Sequence, residues 1–309
     1  MLSQALTLKH LRTLLAVVEH RSLTAAAEAL HQTTPAIHSQ IHKLQDLVGR
    51  PLLTREADGT GFALTPAGEA VARAARRIEA SLSQAEAEMA SISQGYTGHV
   101  RLSVVSTGKY IAPRLVRRLR DQVPEIEVSL RVGNRTKVVA DLESGMADLA
   151  IMGRPPRAPE VRADPLGPHP HGIILPPDHP LAREDGFDPA ALMEEPFLTR
   201  EDGSGTRLLM SRFFDRLAEG ADTKLITMDS NETIKQAVIA GLGIAFLSLH
   251  TCHDELASGR LVALRGPGLP VMRHWYLVRA VDREATAATL NLAQRIVMMG
   301  GSYLPPPLP

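Results

Sequence analysis

From Thr65 to Ser93 the apolar residues Val71, Ala75, Ile78, Leu82, Ala85, Met89 and Ile92 follow one another at alternating steps of four and three. This is a heptad seam kept without a slip, and no glycine or proline falls inside it. Thr65-Pro66 starts the segment with a capping hydroxyl and a proline at the first helical position, and Gly95 and Gly98 stop it. A stripe two-sevenths wide on a long polar helix is narrower than the face a helix lays on its own domain. It suits a partner helix from a second copy of the chain. Residues 65–94 are therefore read as a dimerising linker helix, with different modules on either side.

Bulk properties limit the classes open to those modules. The 309 residues suffice for two or three domains with ordinary cores, and 44% hydrophobic with 22% charged residues describes a globular chain. No apolar run has the length of a membrane span, and Met1-Leu2-Ser3-Gln4 does not lead a basic segment into an apolar one, so no membrane partner is expected. The single cysteine, Cys252, fits a reducing, cytoplasmic setting. The formal net charge is zero, so a nucleic-acid reading has to rest on local pattern.

Residues 1–64 read as a small helical module. Leu8 to His20, Ser22 or Thr24 to Leu30, and Thr33 or Thr34 to Val48 have helical periodicity, the third with Pro35 in its first turn and Gly49 at its end. On that third helix Ile37, Ile41, Leu44 and Val48 share one arc, while Pro35, His38, Ser39 and His42 point the other way, flanked by Thr34 and Gln45. Such a face suits entry into a DNA major groove. It equally suits a plain three-helix bundle with a solvated side. Arg50 to Arg55 and Phe62 to Leu64, joined by the polar turn Glu56 to Gly61, read as a two-stranded wing.

After Gly98 short apolar strands alternate with helices, which argues for α/β lobes. Residues 99–162 with 269–300 are assigned to one lobe and 163–268 to a second. The Pro-rich segment Arg154 to Pro170 is read as a crossing between them, and 301–309 as a disordered tail. Ligands of such two-lobed domains sit between the lobes at strand ends. Four turns lie there: Ser106-Thr107-Gly108-Lys109, Gly133-Asn134-Arg135-Thr136, Gly153-Arg154 and Gly203-Ser204-Gly205-Thr206-Arg207. Each alone is an ordinary loop. Together Lys109, Arg135, Arg154 and Arg207 concentrate positive charge at the cleft of a neutral chain, and Ser204 and Thr206 add hydroxyls at a helix N-terminus. A ligand with more than one negative charge follows, such as a phosphorylated metabolite.

Several of these stretches resemble a known family. Leu23 to Leu30, Thr34-Pro35-Ala36-Ile37, Gln40-Ile41, Leu44, Gly49, Pro51-Leu52, Arg55 and Leu64-Thr65-Pro66-Ala67-Gly68 resemble the LysR-type transcriptional regulators. Thr33-Thr34 stand where that family usually has Ser-Gln, and His38-Ser39 where it usually has Ser-Arg. Gly133 to Arg135, Gly153 to Pro156, Gly203 to Arg207, Ser230 to Val238 and Arg273 to Tyr276 look like the branch that regulates Calvin-cycle carboxylase operons. The resemblance implies a multi-domain protein: an all-α winged helix-turn-helix, a coiled-coil linker helix and an α/β two-lobed effector domain of periplasmic-binding-protein type. It implies DNA contacts from Thr24, Thr33, Thr34, Pro35, His38, Ser39, His42 and Arg55. Effector contacts are implied from Ser106, Thr107, Lys109, Asn134, Arg135, Thr136, Arg154, Ser204, Thr206, Arg207 and Asn231.

The implied partners are a palindromic DNA operator, a small anionic effector, a second copy of the chain with tetramers common in the family, and RNA polymerase. No cofactor and no metal are expected. Ser106-x-x-Lys109 lacks the companion elements of a penicillin-recognising enzyme, and His169-Pro-His171 and His250-Thr-Cys252-His253 lack complete ligand sets. The chain is accordingly read as a ligand-responsive regulator rather than an enzyme. The alternatives are a regulator of organic-acid or sulfur metabolism and an anion-binding protein with a helical extension.

Overall fold

The computed structural model describes residues 5–56, 61–94, 96–183, 186–217 and 223–306. The chain divides into two compact units, one of Met1–Glu86 with Ser144–Met146 and the other of Ala87–Glu143 with Ala147–Pro309, so that the long helix is shared between them.

In the first unit, α1 (Leu8–His20), α2 (Leu23–Ala29) and α3 (Thr34–Val48) form in turn because a side-chain oxygen of Thr7, Ser22 or Thr33 accepts a backbone N–H of each first turn. Leu14, Val17, Ala26, Ala27, Ile37, Ile41 and Leu44 make one core among them. Gln40 is buried in that core. Its Oε1 accepts from Thr13, and its Nε2 donates to Gln32 at 2.7 Å, which ties α3 to α1 and to the α2–α3 turn. The wing follows as β1 (Leu53–Arg55) and β2 (Phe62–Leu64), paired antiparallel; residues 57–60 of its turn lie outside the described residues.

The long helix α4 (Pro66–Ser93) starts at Thr65, whose hydroxyl donates to the Pro51 carbonyl at 2.7 Å and accepts from Gly68 N–H at 3.0 Å. Gly68 is there because a Cβ would sit 2.0 Å from the Leu52 carbonyl oxygen. Gly68→Ala is therefore expected to push α4 off the wing and destabilise this unit by about 2 kcal/mol or more, as overpacking against backbone does. A lowered thermal midpoint of the variant, with operator binding lost in parallel, checks it.

The seam divides in two. Val71 packs on the first unit's core and Ala75 is buried, whereas Ile78, Leu82, Ala85, Met89 and Ile92 are exposed. Gly95 lies outside the described residues. Gly98 is not a free hinge: it opens a strand, and a Cβ on it would meet Ala288 Cβ at 2.6 Å.

The second unit begins with β3 (Gly98–Val105), then α5 (Ala112–Gln122), β4 (Ile126–Gly133), α6 (Arg135–Ser144) and β5 (Leu149–Met152). A long strand, β6 (Val161–Leu175), leads to α7 (Pro189–Glu194), β7 (Phe197–Arg200), α8 (Gly205–Leu217), β8 (Leu225–Met228), α9 (Asn231–Ile239) and β9 (Ile244–Ser248). The short α10 (His253–Ala257) and β10 (Val262–Ala263) precede β11 (Val271–Ala280) and α11 (Ala287–Met298). One mixed sheet orders its strands β4-β3-β5-β11-β6-β9-β7-β8, with β10 on β6.

The two crossings between the lobes are β6 and β11, antiparallel partners from Val161–Ala280 to His171–Val271. At one end β11 pairs β5, and at the other β6 pairs β9. In each lobe the neighbouring strands are parallel, as the strand–helix alternation predicts. In the second lobe successive residues feed opposite faces. Ile173, Phe197, Ile244 and Phe246 pack with α7 and α8, while Ile174, Leu198, Ala245 and Leu247 pack with α9.

Two expectations need correction. The Pro-rich crossing is a strand from Val161 onward. Pro165, Pro168 and Pro170 face Tyr276, His274 and Met272, positions of one parity, because a bulge at Trp275/Tyr276 absorbs the odd spacing. All three can therefore turn the side that lacks an N–H away from β11. The tail 301–309 is also ordered at its start: Tyr303 is fully buried and Leu304 packs into the first lobe's core. Leu304 fills the space above Gly167, where a Cβ would lie 2.7 Å from its Cδ1. Residues 307–309 lie outside the described residues. Among the described residues no helix is long and apolar enough to cross a membrane.

Candidate functional site: a cationic cleft and a helical reader

The strand ends of the two lobes face each other across an open-mouthed cleft. Six of the eleven expected effector residues line it: Ser106, Thr107, Arg135, Arg154, Ser204 and Thr206. Among the described residues no Asp or Glu lines it. The first turn of α8 opens onto it through Ser204, Gly205 and Thr206, bringing N–H groups that helix geometry leaves without partners. Arg135 stands at the start of α6 and donates to the Arg154 and Pro155 carbonyls, which fixes its guanidinium across the crossing. Burial, then the charges of Arg154 and Arg212, lower its pKa from the usual guanidinium value, the direction expected of crowded like charges.

The other five expected residues lie outside that lining. Lys109 Nζ stacks over the Tyr110 ring, 5.1 Å from its centroid. Asn134 caps α6 through Lys137 N–H at 3.0 Å and donates to Glu201 at 3.4 Å. Thr136 N–H donates to the Gly203 carbonyl at 3.3 Å, which joins the lobes. That contact requires a glycine: Gly203 has φ of 84°, and a Cβ would lie 2.7 Å from Thr136 Oγ1. Arg207 pairs with Asp202 at 3.3 Å and donates to the Arg200 carbonyl. Asn231 is buried and accepts from Arg200.

Four cleft residues with polar side chains escaped the sequence reading: Arg212, Arg273, His169 and His171. The helical wheel carries the signal for Arg212. It lies seven residues after Gly205 and shares its face, whereas Arg207 is rotated by about 200°. The other three sit on the paired strands β6 and β11: the prolines of the crossing mask the strand that carries His169 and His171, and Arg273 reaches the cleft through its pairing with His169. Arg200 was missed as well. It is nearly fully buried, holds Glu201 with two bonds of 2.7 and 2.9 Å, and donates to Ser106 at 3.0 Å across the lobes. Burial works to raise the Glu201 pKa, and the bonds and charge of Arg200 outweigh it and lower it.

In the first unit Thr24, Thr33, Pro35, His38, Ser39, His42 and Arg55 are exposed and Thr34 is partly buried. His42 Nδ1 lies 3.2 Å from Asp46, and Arg55 sits over Phe62. An amphipathic third helix, buried through Ile37, Ile41 and Leu44 and bare on its polar side, is the geometry of a helix-turn-helix reader.

Residues 8–69 match the bacterial regulatory helix-turn-helix protein, lysR family, and residues 93–298 match the LysR substrate binding domain. The chain belongs to the LysR family. As a LysR-type regulator it is a DNA-binding transcription regulator with an effector-binding domain. It is 55% identical over 301 residues to the HTH-type transcriptional regulator CbbR of Cereibacter sphaeroides, covering 97% of each chain. It is 42% identical over 272 residues to the RuBisCO operon transcriptional regulator of Allochromatium vinosum, covering 88% of this chain and 89% of the other. Among solved structures it resembles the regulatory domain of CcmR from Synechocystis PCC6803 in complex with 2-PG. The TM-score is 0.62 and the identity 34%, over 66% of this chain and 98% of that one.

Proposed function

We propose that this LysR-type regulator controls a carbon-fixation operon of the RuBisCO kind in response to a phosphorylated metabolite held between its effector lobes. The observation that carries the reading is the cleft itself: Arg135, Arg154, Arg212 and Arg273 line it with the α8 N-terminus, and among the described residues no carboxylate lines it with them. Cations kept in proximity without counter-charge are costly unless an anion completes them, and guanidinium forks match phosphate oxygens. The relatives named for the RuBisCO operon and for CbbR supply the regulon, and the CcmR complex supplies a precedent for a small ligand in a domain of this type. The reader's outer face, Thr24, Thr33, Thr34, Pro35, His38, Ser39 and His42 with Arg55 on the wing, is assigned to the operator. The exposed part of the α4 seam is assigned to a dimer, from which a tetramer can be built. Direct contact with RNA polymerase, a cytoplasmic setting and the absence of a catalytic role or cofactor belong to the same reading.

The deciding experiment is a thermal-shift screen of the full-length protein against sugar bisphosphates, phosphoenolpyruvate, nicotinamide phosphates, sulfate and dicarboxylates. A ligand at one hundred times its Kd adds about 2.7 kcal/mol of stability by mass action. Phosphorylated compounds are expected to raise the melting temperature and dicarboxylates to do so less. Failure of every phosphorylated compound would falsify the reading.

A further inference from the structure

The arginines leave the cleft's two histidines without a task. His169 and His171 lie two apart on β6, so both rings emerge on one face of the sheet, and both line the cleft. Their contacts fix where the proton sits. His171 Nδ1 lies 3.1 Å from the His169 carbonyl oxygen, which can only accept. Nδ1 therefore carries the hydrogen, and in the neutral ring Nε2 holds a lone pair, with no protein partner among the described residues. His169 stacks flat on Trp275, with centroids 3.6 Å apart, and meets Ser248 Oγ at 2.9 Å through Nε2. Its Nδ1 is buried without a hydrogen-bond partner among the described residues, against cleft-lining Gly153, where a Cβ would lie 3.0 Å from it.

The groups that face this pair oppose a second proton. Arg273 stands directly across from His169 on β11, Arg154 follows Gly153, and the His250 ring lies 5.8 Å from His169. The Trp275 indole, which can only donate, bonds to His250 Nδ1 at 3.1 Å, and Phe246 stacks on the far side of His171. Burial brings the His171 pKa down to about 4, the bond to the His169 carbonyl opposing it and His250 and Arg273 adding to it, and burial holds that of His169 well below the usual imidazole value. Both rings are neutral at physiological pH. The cleft arginines can only donate hydrogen bonds, and its hydroxyls can turn either way. The His171 Nε2 lone pair can only accept, beside a second buried nitrogen that lacks a partner.

We propose that His171, with His169 behind it, is the specificity-determining acceptor of the cleft, selecting phosphorylated ligands that carry a free hydroxyl over ligands of equal charge that lack one. This rests on the anion-binding reading above. A hydroxyl donor satisfies a lone pair that a bare phosphate oxygen would only repel, and a site built for a donor penalises the analogue that leaves it unpaired.

The test is calorimetric titration of the full-length protein with two pairs of probes: 3-phosphoglycerate against 3-phosphopropionate, and glycerol 3-phosphate against propyl phosphate. The hydroxylated member of each pair is expected to bind about tenfold tighter, as one satisfied acceptor predicts. His171→Phe should bring the two members within about twofold of each other by weakening only the hydroxylated one, and His171→Gln, which keeps an acceptor oxygen, should retain the preference. Equal binding within each pair by the wild-type protein overturns this inference and leaves the anion reading standing. So does a preference that survives in folded His171→Phe. No binding of any of the four probes removes the anion reading and this inference together. The wild-type comparison stands by itself should His171→Phe fail to fold.

Discussion

Arg135→Ala is expected to weaken binding of a phosphorylated effector by about 10- to 150-fold, the range of one charge-assisted hydrogen bond, and to remove the effector's response at micromolar concentrations. The side chain sits at the start of α6, braced by the Arg154 and Pro155 carbonyls, and lines the cleft beside Ser204 and Thr206. Truncation removes a donor that is already oriented, and also the carbonyl brace that orients Arg154. The ligand-free protein should not suffer in the same way. The Arg135 pKa is lowered by burial and by Arg154 and Arg212, so its charged form is disfavoured in the folded cleft at every pH below the guanidinium range. Removing one of several crowded cations relieves that repulsion, so the free variant should melt no lower than the wild type while losing its ligand-induced shift. Functional sites commonly hold this kind of strain at the cost of stability. Basal operator binding, measured by mobility shift, should be unchanged. A variant that still shifts fully with phosphorylated ligands would remove Arg135 from the site. Lys109→Ala and Arg207→Ala, whose side chains stack on Tyr110 and pair with Asp202, should change effector affinity far less.

The contrast between Arg207 and Arg212 shows what was legible in the sequence and what was not. Turn position is a one-dimensional property, and it correctly brought Ser106, Thr107, Arg135, Arg154, Ser204 and Thr206 to a shared cleft. Which cation of a helix faces a ligand depends on rotation about the helix axis, and Arg207 was chosen by its closeness to the turn. Strand periodicity was readable wherever it was clean, from Val100 to Val105 and from Ile244 to Leu247. It failed where Pro165, Pro168 and Pro170 interrupt it, since the bulge that keeps them in phase belongs to the pairing with β11 and leaves no local signature. His169 and His171 were hidden by the same error. Tyr303 and Leu304 were lost to the prolines that follow them, although two large apolar residues after a helix are a reason to expect docking. Arg200 could not have been singled out from sequence. Its burial depends on Ser106 and Asn231 arriving from distant parts of the chain.

Leu82→Glu is expected to abolish the dimer and to cut operator affinity by two to four orders of magnitude. Leu82 lies in the middle of the exposed stretch of the α4 seam, between Ile78 and Ala85, with Met89 and Ile92 beyond. Side-chain exposure along this line rises from 37% at Ile78 and Leu82 to 61% at Met89 and 69% at Ile92, which is unusual for large apolar residues on a 28-residue helix unless another surface covers them. Heptad spacing states what kind of surface: a second helix with the same repeat, packed knobs into holes. In a symmetric pair one substitution places two carboxylates at facing seam positions, so desolvation and mutual repulsion both act, and each buried charge alone costs several kcal/mol. Operator affinity falls for a separate reason. Two linked readers bind the second half-site at a high effective concentration, and that gain of about 100- to 10,000-fold disappears when the readers separate. Sedimentation velocity should show a monomer, while the melting of the first unit stays near wild type because Val71 and Ala75, the seam residues it buries, are untouched. Arg76→Glu, a charge change twice as large but on an exposed position off the seam, should leave the dimer intact. A Leu82→Glu protein that still sediments as a dimer and still protects both half-sites would mean that the seam faces something other than its own copy.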